Sequence, residues 1–141
     1  MNPRGLIVAG IGTEVGKTLV SSILCEVLGA RYWKPIASGS DDGPAESVFV
    51  AQLIQNGSER VFSERYFFRK SLSPHIAAAM EGLEVSLDEL SLPLCDEPLV
   101  VELAGGVMVP LNDTVTNIDL IRRLELPVVV VSRHYLGSIN H

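Results

Sequence analysis

The stretch that most constrains this chain is its glycine-rich segment at residues 10–18: Gly10-Ile11-Gly12-Thr13-Glu14-Val15-Gly16-Lys17-Thr18. Before it, Leu6-Ile7-Val8-Ala9 is a continuous, β-rich apolar run that reads as a buried strand ended by Gly10. After it, Val20, Ile23, Leu24, Val27 and Leu28 fall at i, i+3, i+4, i+7 and i+8, which predicts a helix from Lys17 to Leu28 with one apolar face. Gly29 stops that helix. Strand, glycine loop and helix are the setting of a phosphate-binding loop, in which backbone N–H groups and the positive end of a helix point at phosphate oxygens. In such a loop Lys17 reaches the terminal phosphates and the Thr18 hydroxyl ligates Mg²⁺. The strict pattern GxxxxGK[ST] needs glycine where Ile11 stands, so the motif is met in a form one residue longer. A plain glycine turn leaves Lys17 unexplained, because a cation in the first turn of a helix is unfavourable unless an anion sits there.

The rest of the chain alternates strand and helix patterns. Residues 31–36 read as a second strand closed by Pro35, followed by the loop Ala37-Ser38-Gly39-Ser40. Residues 44–55 read as a helix with Val48, Ala51, Leu53 and Ile54 apolar, and 58–72 as irregular with a short strand near Tyr66-Phe67. Pro74 opens a helix to Met80, and a short helix covers 86–91. Leu99-Val100-Val101 is a buried strand that ends in the carboxylate of Glu102. Thr116 to Leu124 is a helix with Thr116 and Asp119 as a capping box. Pro127 to Val131 reads as a strand covered on both faces. The expected fold is α/β, a parallel sheet of about four strands flanked by helices, of the phosphate-loop NTPase class. No linker or repeat divides residues 1–141, so they are expected to form a single domain.

Candidate site residues follow from the ends of those strands, which line the ligand crevice of a parallel sheet. Lys34 stands at the end of the second strand, with Ser38 and Ser40 in the loop beyond it. Glu102, followed by Ala104-Gly105-Gly106, is placed to hold Mg²⁺ or position water. Asp41, Asp42 and Glu46 cluster after the serine loop and as a group read as a solvated loop, one of whose acids is a candidate to complete the metal site. His75, after Ser73-Pro74, reads as structural, and Cys25 and Cys95, among apolar neighbours, read as reduced and inert. A net charge of −6 argues against nucleic acid or an anionic membrane as partner. The apolar run after Met1-Asn2-Pro3-Arg4 is too short for a signal peptide or a membrane span, so a cytoplasmic chain is expected.

The segments GIGTEVGKT, YWKPIASGS, SPH at 73–75, VELAGGVMVPLND at 101–113 and the closing LGSINH together resemble the dethiobiotin synthetase family in order and spacing. The longer loop is typical of that family. The resemblance implies an ATP- and Mg²⁺-dependent ligase of biotin biosynthesis. It closes a ureido ring on 7,8-diaminopelargonic acid with CO₂, giving dethiobiotin, ADP and phosphate, and it works as a homodimer. It implies Lys17 and Lys34 as catalytic residues and Gly12, Thr13, Glu14, Val15, Gly16, Lys17 and Thr18 as the nucleotide loop. Thr13, Lys34, Ser38, Gly106 and Val107 would meet the substrate, and Thr18, Glu46 and Glu102 the metal, with Asp42 as the second choice for the acid after the serine loop. The chain departs from the family at Gly12, where aspartate is usual, and at Leu103, where glycine is usual, so the 102–106 turn is expected to be reshaped. Family members also continue past Asn140-His141, so the chain is C-terminally short relative to them. Two rival readings are a catalytically impaired nucleotide-binding paralogue or fragment, and a related synthetase of cobyrinic acid type. The segments around Lys34 and His75 favour the ligase.

Overall fold

In the computed structural model, which describes residues 5–140, the run ahead of the glycine loop is the strand β1 (Gly5–Gly10), with Ile7, Val8 and Ala9 fully buried. Residues 1–4, on which the leader expectation falls, and His141 of the closing segment lie outside the described residues. The glycine loop leads into α1 (Lys17–Leu28) through Gly16, whose φ of 104° is costly for any residue with a Cβ. Gly29, also left-handed, ends α1 by donating its N–H to the carbonyls of Cys25 and Glu26.

Beyond α1 come β2 (Arg31–Trp33), β3 (Ile36–Ser38), α2 (Glu46–Leu53), α3 (Gly57–Arg60), β4 (Val61–Phe62) and β5 (Tyr66–Phe68). Then follow α4 (Pro74–Met80), a 3-10 turn at Leu87–Glu89, β6 (Leu99–Gly106), α5 (Asn117–Leu124), β7 (Val128–Val131) and a second 3-10 turn at Ser138–Asn140. The main sheet has five parallel strands in the order β4-β2-β6-β1-β7, one more than expected. The strand expected over 31–36 is instead two. Pro35, which has no N–H to give a ladder, separates β2 from β3, and β3 pairs with β5 in a small sheet of its own. Part of the segment read as a serine loop is therefore strand. The region 58–72 holds the expected short strand and also α3 and β4.

The sheet is packed on both faces. On one side Ile7, Ala9, Trp33, Val101 and Leu103 meet Ala77 and Ala78 of α4 and Leu120 and Leu124 of α5. On the other, Val8, Tyr32 and Val100 meet Cys25 of α1 and Val50 of α2. Alternation along β6 thus sends Val101 and Leu103 one way and Val100 and Glu102 the other.

Three expectations need correction. First, α1 does not bury the face its periodicity predicts. Ser21, Ser22 and Cys25 face the sheet, while Ile23, Val27 and Leu28 are exposed and Val20 and Leu24 only half-buried. The loop sets the rotation of α1: with Lys17 and Thr18 turned to the strand ends, residues three, four and seven positions after Thr18 must follow them inward. Helix α2 behaves alike, burying Ser47 and Val50 and exposing Val48 and Leu53. Second, β6 does not end at Glu102. It runs on to Gly106, and its register against β1 slips from Val8–Glu102 to Gly10–Gly106. Leu103 is therefore a buried core residue inside a bulged strand rather than part of a turn. Third, β7 is not covered on both faces. It is an edge strand against β1 alone, with Val128, Val129 and Val130 exposed and only Val131 buried.

Candidate active site

The glycine loop, the ends of β2 and β6 and the start of α2 meet at the carboxyl edge of the sheet. There they enclose a cleft of about 380 Å³ lined by Thr13, Glu14, Gly16, Lys17, Thr18, Lys34, Glu46, Glu102 and Gly105. Each polar residue arrives by a simple rule. Lys17 and Thr18 are the first two residues of α1, Lys34 directly follows β2, and Glu46 is the first residue of α2. Glu102 stands on the α1 side of β6 by strand alternation.

These groups are bonded to one another across the chain. The Thr18 hydroxyl donates to Oε1 of Glu102 at 3.0 Å. Nζ of Lys34 lies 2.8 Å from Oε1 of Glu46 and 3.4 Å from Oε1 of Glu102. Tyr32 donates its hydroxyl to Oε2 of Glu102 at 3.0 Å. Lys17 donates to the Gly12 carbonyl at 2.7 Å, within its own loop. Glu102 and Lys34 are only 1% and 5% exposed. Burying such charges is tolerable here because each has an opposite partner and hydrogen bonds.

Burial is also the main cause of a lowered pKa at Lys17, reinforced by the nearby Lys34 and partly offset by Glu102. Burial pushes Glu46 upward, but the Lys34 ammonium outweighs it, and the net pKa is below the ordinary glutamate value. Tyr32 is held well above the usual tyrosine value, by burial first and by the Glu102 carboxylate next.

Glycines let the backbones close up around the cleft. A Cβ on Gly106 would lie 3.4 Å from the Ile11 carbonyl oxygen, so the end of β6 runs against the phosphate loop. Gly105 takes a φ of 64°. Buried Asn117 fastens this corner, donating from Nδ2 to the carbonyls of Ala104 and Gly106 at 2.7 and 2.8 Å.

Of the residues expected at a site, Thr13, Glu14, Gly16, Lys17, Thr18, Lys34, Glu46 and Glu102 come together in the cleft lining. Gly12 contributes the carbonyl that holds Lys17. Val15 packs on the core beneath the loop, and Val107 on the core of the other face. Ser38, half-buried in β3, is not in the lining. Asp42 accepts a hydrogen bond from Ser71 and Asp41 pairs with Arg69 and Lys70, and neither lines the cleft; Glu46 is the acid after the serine loop that does. His75 bonds Ser73 at 3.1 Å and lines a separate cavity. Sequence reasoning missed Gly105 and Tyr32. The signal for Tyr32 was its place two residues before Lys34, hence on the same face of the extended chain.

Thr18, Glu46 and Glu102 offer a hydroxyl and two carboxylates, hard oxygen donors of the kind Mg²⁺ takes together with waters and phosphates. Among the described residues no group of three or more His, Cys, Asp or Glu gathers as an all-protein cage. A hydroxyl and two carboxylates are too few to complete six-fold coordination, so a magnesium held there would take its remaining ligands from water and phosphate.

Residues 4–141 match a family described as an AAA domain. The chain is 42% identical over its full length to the ATP-dependent dethiobiotin synthetases BioD of Brucella ovis and Brucella suis, covering 66% of each. It is 44% identical to that of Afipia carboxidovorans over 96% of this chain and 65% of the relative. The chain thus spans about two thirds of the length of the relatives it matches.

Proposed function

Because the chain belongs to the AAA domain family and is homologous along its whole length to ATP-dependent dethiobiotin synthetases, we propose that it carries the phosphoryl-transfer centre of such an enzyme. The substrates are ATP, CO₂ and 7,8-diaminopelargonic acid, and the products dethiobiotin, ADP and phosphate. The observation that supports this most is the meeting of Lys17, Thr18, Lys34, Glu46 and Glu102, from four separate elements, in one cleft beside the phosphate loop.

The loop N–H groups and the start of α1 bind the ATP phosphates. Lys17 leaves the Gly12 carbonyl for the terminal phosphates. One amine of the substrate takes up CO₂ as a carbamate, whose oxygen attacks the γ-phosphorus and releases ADP. The second amine then attacks the carbonyl of the mixed anhydride and expels phosphate, closing the ring. Lys34, at the end of β2, neutralises the carbamate and the transferred phosphoryl group. Thr13 lies beside the reacting amines. The catalysis is positioning and charge stabilisation, as phosphoryl transfer requires. Magnesium, when bound, neutralises charge on the phosphates, and Thr18, Glu46 and Glu102 are the residues that would hold it. The reading includes a homodimer in the cytoplasm, supported by the family resemblance. Among the described residues no helix is long and apolar enough to cross a membrane.

The test is ADP release by the purified chain with ATP, Mg²⁺, bicarbonate and the diamine, each omitted in turn. Release that needs all four supports the ligase. Release indifferent to the diamine supports a plain ATPase and removes the ligase reading.

A further inference from the structure

Glu102 has three hydrogen-bonding partners of two kinds. Thr18 and Lys34 approach Oε1 and line the cleft, while Tyr32 approaches Oε2 and does not. Tyr32 is fully buried in the core between α1, α2 and the sheet. Its hydroxyl is bonded to the carboxylate. A nucleotide with its metal would draw the Lys34 ammonium and the Thr18 hydroxyl towards itself, because both already face the cleft. Tyr32 would stay in place.

We propose that Tyr32 is a positioning residue for the metal-binding role of Glu102: its hydroxyl holds Oε2 and so presents Oε1 to the cleft. The inference rests on the reading of Glu102 as a magnesium ligand. It extends that reading inward, to a residue that touches neither substrate nor metal. A glutamate swings about three side-chain torsions, and a carboxylate fixed at only one oxygen can still rotate about its last one. Outer donors that fix a ligand's orientation typically change metal affinity about 10- to 100-fold when removed.

The experiment uses Mn²⁺ in place of Mg²⁺, with bound metal read by electron paramagnetic resonance in the presence of a non-hydrolysable ATP analogue. Tyr32→Phe is expected to weaken Mn²⁺ binding about 10-fold or more, while metal-free affinity for the analogue stays at the wild-type value. Wild-type Mn²⁺ affinity in Tyr32→Phe overturns the proposal. A wild-type chain that takes up nucleotide but no Mn²⁺ overturns the metal reading itself, and the proposal with it. Should Tyr32→Phe not fold, Glu102→Gln is compared with the double variant Tyr32→Phe/Glu102→Gln, in which no buried charge is left without its donor. Equal Mn²⁺ affinities show that Tyr32 acts through Glu102, and unequal ones overturn the proposal.

Discussion

The ammonium of Lys34 lies 2.8 Å from Oε1 of Glu46, tying the end of β2 to the first residue of α2. The same nitrogen is 3.4 Å from Glu102, so one buried cation serves two acids. The acids differ in burial: the Glu46 side chain is 42% exposed and that of Glu102 1%. Removing the cation therefore has unequal consequences. Lys34→Met is expected to destabilise the fold by about 3 kcal/mol or more, because Glu102 is left as an uncompensated buried charge. Glu46→Gln is expected to cost no more than about 1 kcal/mol, the range of a solvent-screened pair. Urea denaturation of both variants checks the order, and equal losses would contradict it.

Lys34 is expected to matter more to the reaction than to nucleotide binding. In folded Lys34→Gln protein the single-turnover rate should fall about 100-fold or more, the scale of losing one preorganised charge contact. ATP affinity, measured by calorimetry, should stay near the wild-type value. Parallel losses in both would move Lys34 to the nucleotide side of the cleft.

Lys17→Ala should abolish ADP release and weaken ATP binding by about 2 kcal/mol or more, the cost of truncating one member of a desolvated charge pair. Isothermal calorimetry reads the binding loss directly. Near-normal ADP release by Lys17→Ala would remove the phosphate-loop assignment.

The Glu46 pKa is depressed by Lys34, so the contribution of this pair to stability has a defined sign with pH. It is fully present above the unfolded glutamate value and is lost as pH falls through the lower folded value. Wild type and Glu46→Gln should therefore differ in unfolding free energy at neutral pH and converge on the acid side of the carboxylate range. A difference that persists into acid would place the stabilisation elsewhere.

Gly10 sits where β1 turns into the loop. A Cβ there would lie 2.9 Å from Val15 Cγ2, 3.0 Å from Lys17 Cδ and 3.1 Å from the Gly12 oxygen. Gly10→Ala should displace the loop and the Lys17 side chain and lower ATP affinity while the sheet still forms. Far-ultraviolet circular dichroism and an ATP titration on the same sample separate the two effects.

Much of this arrangement is legible in the order of residues along the chain, because its determinants are local. The strand–glycine–lysine–threonine order marks the phosphate loop, Pro74 starts α4 where expected, and Thr116 and Asp119 form the capping box. Alternating strand and helix patterns are enough for a parallel α/β sheet, since neighbours along the chain decide those patterns. The sequence by itself thus determined the class of fold and which side chains could meet phosphate. The tertiary structure alone decided the rotation of α1, the split at Pro35, the continuation of β6 through Leu103 and the contact of Tyr32 with Glu102. Periodicity reports that a helix has an apolar face, but not which neighbour that face meets. In α1 the loop turns Ser21, Ser22 and Cys25 to the sheet and leaves Ile23 and Val27 outside. Glu102 is joined to Tyr32 across 70 residues and to Thr18 across 84, and no local pattern records a bond between positions so far apart.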